Sequence, residues 1–160
     1  MERTITIADA KTCVEAMNAI AGLPQDGSHK VVMSAKKETR TALQNRCYHG
    51  WATVMAKKRG LTLEEMKTEY KDRFFKPIFI RDDPGYAALW ETVRDLWRQG
   101  MKDESLTVAE GIIKLTSSTQ ANTAQMAEVL NNIDFDAANL GVHLPRPSDP
   151  EILFIEKPKE

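Results

Sequence analysis

Apolar side chains in this chain recur mainly at helical spacing. In residues 8–21, Cys13, Val14, Met17, Ile20 and Ala21 fall on one side of a helix that Gly22 and Pro24 close. Residues 41–59 make the strongest pattern. At about 100° per residue, Leu43, Cys47, Trp51, Val54 and Met55 form one apolar stripe, with Asn45, Arg46, His49 and Thr53 opposite. Thr41 and Gln44 have the spacing of a capping box, and Gly60 stands where a C-terminal cap belongs. Thr62 and Glu65 repeat that spacing and start a helix running to about residue 75, where Pro77 stops it. Residues 84–99 carry Tyr86, Leu89, Trp90, Val93, Leu96 and Trp97 on one face, which reads as core or as a subunit interface. Asn122 and Gln125 open a last helix, which ends near residue 139 before Gly141.

Other stretches read as extended. Residues 3–7 alternate, with Ile5 and Ile7 on one face, and residues 30–35 form a second strand. A third lies around Ile112 and Ile113, whose β-branched side chains favour a pleated surface. Residues 77–80 fit a short strand or an extended link, and 101–105 an acidic loop. Residues 116–120 are rich in hydroxyls, and four prolines from Pro145 onward predict an extended tail. The expected fold is therefore α+β, a small β-sheet packed with several helices. One domain would span residues 1–145, with 81–104 as a candidate insertion and 146–160 as the tail.

Composition adds a constraint on class. At 160 residues, 42% apolar and 28% charged, the chain suits one globular domain. No run approaches the roughly 18 apolar residues of a membrane span. The opening Met1-Glu2-Arg3-Thr4 lacks the basic start and apolar stretch of a signal peptide. Cys13 and Cys47 read as reduced thiols, so a cytoplasmic protein is expected, with no cofactor. The formal net charge of -1 conceals a segregation. Residues 30–76 carry twelve basic and five acidic side chains, while the segments before and after are net negative. A cationic block of this kind points to an anionic partner.

The string Arg40-Thr-Ala-Leu-Gln-Asn-Arg46 lies in that block and enters a helix N-terminus, where free amides and the dipole favour an anion. Arg40, Gln44, Asn45 and Arg46 are candidate contacts to phosphate or base edges. His49 lies on the same polar face. Lys36, Lys37, Lys57 and Lys58 supply less specific charge, and Lys114, Ser117, Ser118 and Thr119 form a weaker second set. Set against this is a solvated helix with a good cap. Among the aromatics, Trp51 belongs to the core, Tyr48 is expected as the exposed ring, and Phe74 and Phe75 as core or dimer contacts. Cys47 and His49 point to nearly opposite sides of one helix, so neither a metal site nor a catalytic thiol is expected from them. The acidic pairs Asp82-Asp83, Asp103-Glu104 and Asp134 with Asp136 read as turns and caps rather than as a two-metal site.

Thr41-Ala-Leu-Gln-Asn-Arg46 followed by Tyr48 and Trp51 resembles the helix start of the NinB family of bacteriophage recombination proteins. The later run Ile112-Ile113-Lys114-Leu115-Thr116-Ser117-Ser118-Thr119, leading to a helix near Gly141, is similar to that family's late strand and hydroxyl-rich link. The resemblance spans roughly residues 1–145. It leaves out the tail, and 81–104 is longer than the family pattern. It implies a NinB-like intertwined homodimer, phage or prophage encoded, working in the bacterial cytoplasm. The implied role is non-catalytic: a recombination mediator that binds single-stranded DNA and helps load a recombinase on strands covered by the host single-strand-binding protein. The competing classes are a metal-dependent phage nuclease or junction-acting enzyme, and a protein adaptor that binds no DNA.

Overall fold

The computed structural model describes residues 4–33 and 39–154. The chain divides into two units, residues 1–37 and 38–160.

The first unit contains one helix, α1 (Ala10–Ala21). Asp9 and Thr12 cap it reciprocally. The Asp9 carboxylate accepts from the Thr12 amide at 2.8 Å, and the Thr12 hydroxyl accepts from the Asp9 amide at 3.0 Å. The Thr12 amide, and then the Thr12 hydroxyl donating to the same carboxylate at 2.9 Å, hold the Asp9 carboxyl below the usual carboxylate range. The expected strands do not form here. Residues 4–7 and 30–33 carry no ladder, and the remainder of those two stretches lies outside the described residues. Val31, Val32 and Met33 are all exposed, so no alternating face exists for a partner strand to cover.

Among the described residues, all the regular structure of the second unit is helical. In order it comprises α2 (Arg40–Arg59), α3 (Leu63–Tyr70), a π-helical turn (Lys71–Phe75), α4 (Lys76–Asp82), α5 (Pro84–Arg98), α6 (Lys102–Leu115) and α7 (Thr123–Asn139). Short 3-10 turns follow α6 (Ser118–Gln120) and end the described chain (Pro150–Leu153). Among the described residues there is no strand and no sheet, so the α+β expectation is corrected to an all-helical fold.

Helix α2 packs on both α3 and α7. Trp51, Ala52 and Met55 meet Met66 and Tyr70 on one side and Met126, Leu130 and Ile133 on the other, all buried. Thr62 and Glu65 form the capping box expected of them, and Asn122 and Gln125 do the same for α7. Gly60 closes α2 at φ 67°, a left-handed conformation that only glycine enters without strain.

Pro77 does not stop the third helix. Proline lacks an N–H and its ring clashes with the carbonyl four residues back. The π-helical turn before it widens the backbone, with the Lys76 amide reaching back to the Lys71 carbonyl, and the helix continues as α4. Phe75, Ile78 and Phe79 thereby face the core.

Helices α5 and α6 pair as a hairpin around Gly100, with Trp90, Ile112 and Ile113 as a small core of their own. The expected strand at Ile112 and Ile113 is thus a helix. Ala109, Ile112, Ile113 and Thr116 fall at helical spacing, and burying both isoleucines against α5 outweighs their β preference. The expected loop at 101–105 is the first turn of α6. Asp103 and Glu104 there favour the positive end of the helix dipole, and the Ser105 hydroxyl donates to the Val93 carbonyl at 2.8 Å. Tyr86 packs against both cores. Through it a run of touching rings connects Tyr48, Phe75, Phe79, Tyr86 and Trp90.

Candidate nucleic-acid interface

The start of α2 is built differently from the capping box expected of Thr41 and Gln44. Thr39 is the cap, its hydroxyl accepting from the Ala42 amide at 3.2 Å. Gln44 is freed from that role and turns inward, 1% exposed. Its Nε2 donates to the Thr123 carbonyl at 2.9 Å and to the Ile152 carbonyl at 2.8 Å. Two neighbouring carbonyls of the tail are held in the same manner. Asn131 Nδ2 donates to Leu153 at 2.7 Å, and Arg40 Nη2 donates to Phe154 at 2.6 Å. Three side chains thus clamp three consecutive carbonyls, while the Ile152 side chain is buried. Residues 150–154 are a docked strap rather than a free extended tail. Trp51 adds a fourth tie, donating from Nε1 to the Pro145 carbonyl at 2.8 Å.

Sequence periodicity carried a signal for this that residue type obscured. On the helical wheel Gln44 falls between Trp51 and Met55, inside the apolar arc. Tyr48 lies just past Met55. It is 2% exposed, not the exposed ring expected, and burial pushes its hydroxyl well above the usual phenol range. Tyr48 packs edge-on against Phe75, with ring centroids 5.4 Å apart. Phe75 is buried, whereas Phe74 is half-buried beneath the Arg73 guanidinium.

The other side of α2 is exposed. Arg46, His49, Thr53 and Lys57 lie along it, with Lys58 adjoining in the last turn. Lys57 and Lys58 make no ion pair among the described residues, whereas Arg59, Lys67, Arg73 and Lys76 of the same block do. Arg59 is 2.6 Å from Glu69, Arg73 bridges Glu69 and Asp136, Lys76 is 2.6 Å from Asp72, and Lys67 is 3.6 Å from Glu64. Partial burial, then the nearby Lys67, hold the His49 imidazole below its usual range against an opposing Glu64, so the ring favours its neutral form.

The remaining candidates scatter. Lys36 and Lys37 lie outside the described residues. Asn45 is half-buried, and its Oδ1 has no hydrogen-bond partner among the described residues. Lys114 is exposed in the last turn of α6. Ser117 caps the following 3-10 turn, accepting from the Thr119 amide at 3.2 Å and sharing a hydrogen bond with the Thr119 hydroxyl at 2.9 Å. Ser118 is half-buried. The structure therefore unites Arg46, His49, Lys57 and Lys58 on one helix. It commits Gln44 and Arg40 to the strap and leaves the hydroxyl-rich link on another connection.

The carboxylates weighed for metal chemistry are engaged singly. Asp82 accepts from Arg81 at 2.7 Å and from Gln125 at 3.0 Å, which holds its carboxyl down at about 2. Asp134 takes both Arg146 nitrogens at 2.8 and 3.0 Å, and Asp136 pairs with Arg73. Among the described residues no three His, Cys, Asp or Glu side chains converge to hold a metal ion. Cys47 is half-buried, and burial pushes its thiol up to about 11. No described helix is long and apolar enough to cross a membrane. No family model, curated protein or solved structure matches the chain.

Proposed function

We propose that this chain is a non-catalytic, phage-type recombination mediator that binds single-stranded DNA through the exposed line of α2. The supporting observation is the concentration of charge there. Arg59, Lys67, Arg73 and Lys76 of the basic block are met by local carboxylates, while Lys57, on the exposed line with Arg46 and His49, and Lys58, exposed at the next position, have no ion pair among the described residues. Phosphate contact needs cations at separations that follow a strand, and an exposed helix edge provides them. The resemblance of the Thr41–Arg46 string, with Tyr48 and Trp51 after it, to the NinB family supports the role in recombination. Assistance to a recombinase on strands covered by a host single-strand-binding protein belongs to the same proposal. So does assembly as a homodimer, for which the exposed Leu89, Trp97 and Leu106 of the α5–α6 hairpin supply apolar surface.

An electrophoretic shift series with single- and double-stranded DNA across salt concentrations tests the reading. Single strands are expected to bind more tightly, with affinity falling steeply as salt rises. Arg46→Ala should weaken binding and reduce the log–log salt slope by about one, and Lys57→Ala with Lys58→Ala by about two. Wild-type affinity in both variants removes α2 as the contact surface.

A further inference from the structure

Beside the charged line of α2 runs a groove of about 340 Å³, the lower end of the range for small-molecule sites. Leu43, Cys47 and Gly50 of α2 form one wall and Pro145 and Pro147, in the segment leading to the strap, the other, with Trp51 between them. The tie from Trp51 Nε1 to the Pro145 carbonyl holds the two walls together. Two guanidiniums, Arg46 and Arg146, stand among the lining groups, with the Ser148 hydroxyl and the Asp149 carboxylate. Arg146 is anchored by Asp134 yet its side chain remains 64% exposed. One Asp149 oxygen caps the terminal 3-10 turn by accepting from the Glu151 amide at 3.0 Å.

Gly50 is the informative residue. It sits in the interior of the longest helix, where glycine is unfavourable relative to alanine. A Cβ built there meets nothing within 4 Å, so no internal contact requires its absence. Gly50 instead leaves an open flat patch along the groove wall beside Arg46. A flat ligand can lie on that patch only while no side chain stands there.

We propose that this groove receives one nucleobase of a bound single strand, its face against Gly50 and the prolines and its adjoining phosphates on Arg46 and Arg146. This rests on the single-strand reading of α2 and assigns the step that phosphate contacts alone do not supply, discrimination of a strand with free bases from a bare backbone. At Arg46 the planar donors of a guanidinium match two phosphate oxygens at once, whereas Arg146, whose terminal nitrogens both hold Asp134, has only its remaining N–H groups to offer. The Ser148 hydroxyl and the remaining Asp149 oxygen are available to the donors and acceptors of a base edge.

Fluorescence anisotropy with labelled oligo(dT) and an abasic strand of equal length tests this. Wild type should prefer oligo(dT) by roughly fivefold, the scale of taking the apolar face of one base out of water. Gly50→Leu, which fills the groove from an exposed helical position, should melt no lower than wild type and bind both strands at the abasic level. Gly50→Ala should raise the melting temperature and show a smaller loss of preference. Arg46→Ala should weaken both strands alike. If folded Gly50→Leu keeps the oligo(dT) preference, or wild type binds both strands equally, the groove is not a base site, while a weakened Arg46→Ala still upholds the α2 surface. If wild type binds neither strand, the single-strand reading itself fails.

Discussion

Gln44 donates both hydrogens of its side-chain amide to backbone carbonyls of two different segments, one at the start of α7 and one in the strap. The Ile152 carbonyl is met in a buried setting and the Thr123 carbonyl, already inside the first turn of α7, in a half-buried one. Gln44→Leu keeps the volume but leaves the buried Ile152 carbonyl without its side-chain donor, and should lower stability by about 2 kcal/mol in urea unfolding. The folded variant should still bind single strands as wild type does. A drop in affinity with unchanged stability would instead make Gln44 a contact residue. Arg46, two positions on, stands on the exposed side of the helix, and Arg46→Ala should change stability by less than about 0.5 kcal/mol. Neighbours within one six-residue string thus have separate duties, which their position on the wheel separates and their chemistry does not. Both are polar side chains able to touch a phosphate.

Among the elements, α4 and α7 are joined at the surface by a cluster in which Arg81 holds Asp82 and Glu128 while Gln125 donates to Asp82. Hydrogen bonds from Arg81 and then Gln125 depress the Asp82 carboxyl to about 2. Its stabilising effect is therefore fully present above the ordinary carboxylate range and disappears as the pH falls from about 4 toward 2. Asp82→Asn should flatten this part of the acid side of a urea-midpoint profile. An unchanged acid limb would show that the cluster contributes nothing to folding. The α3–α4 helix shows how far local rules reach. Pro77 is a sound stop signal, and the backbone answers it with a π-helical turn because continuing the helix buries Phe75, Ile78 and Phe79. The isoleucines of α6 follow the same logic. A preference worth a fraction of a kcal/mol gives way to burial worth several times more.

For the whole molecule, both hydrophobic cores are built from residues of the second unit alone, from Tyr48 in α2 to Leu144 before the strap. A chain of residues 38–160 should therefore unfold cooperatively by circular dichroism, with a melting temperature close to that of the full chain. Loss of cooperativity would mean that residues 1–37 complete the core. Charge is also organised at this scale. A block of twelve cations among residues 30–76 reads in sequence as one basic patch. Folding brings Glu69, Asp72 and Asp136 against its later part and leaves the exposed edge of α2 without such partners at Lys57 and Lys58.

The helices α1, α2, α5 and α7 and the start of α3, with the caps at Thr62 and Asn122 and the glycine stops, were legible from the chain, because caps and helical periodicity are satisfied within a few residues. The candidate surface was legible as far as the charge block and the polar face of α2. The absence of a sheet in the described residues was not, since a strand exists only where a partner does, and no local pattern reveals a missing partner. Nor was the docking of residues 150–154, which depends on a buried isoleucine and on three carbonyls meeting Gln44, Asn131 and Arg40 from far along the chain. Sequence by itself determined where most helices lie and where cations gather. Tertiary structure alone decided what an inward-turned polar side chain such as Gln44 bonds, because burial and hydrogen-bond satisfaction are settled between segments distant in the chain.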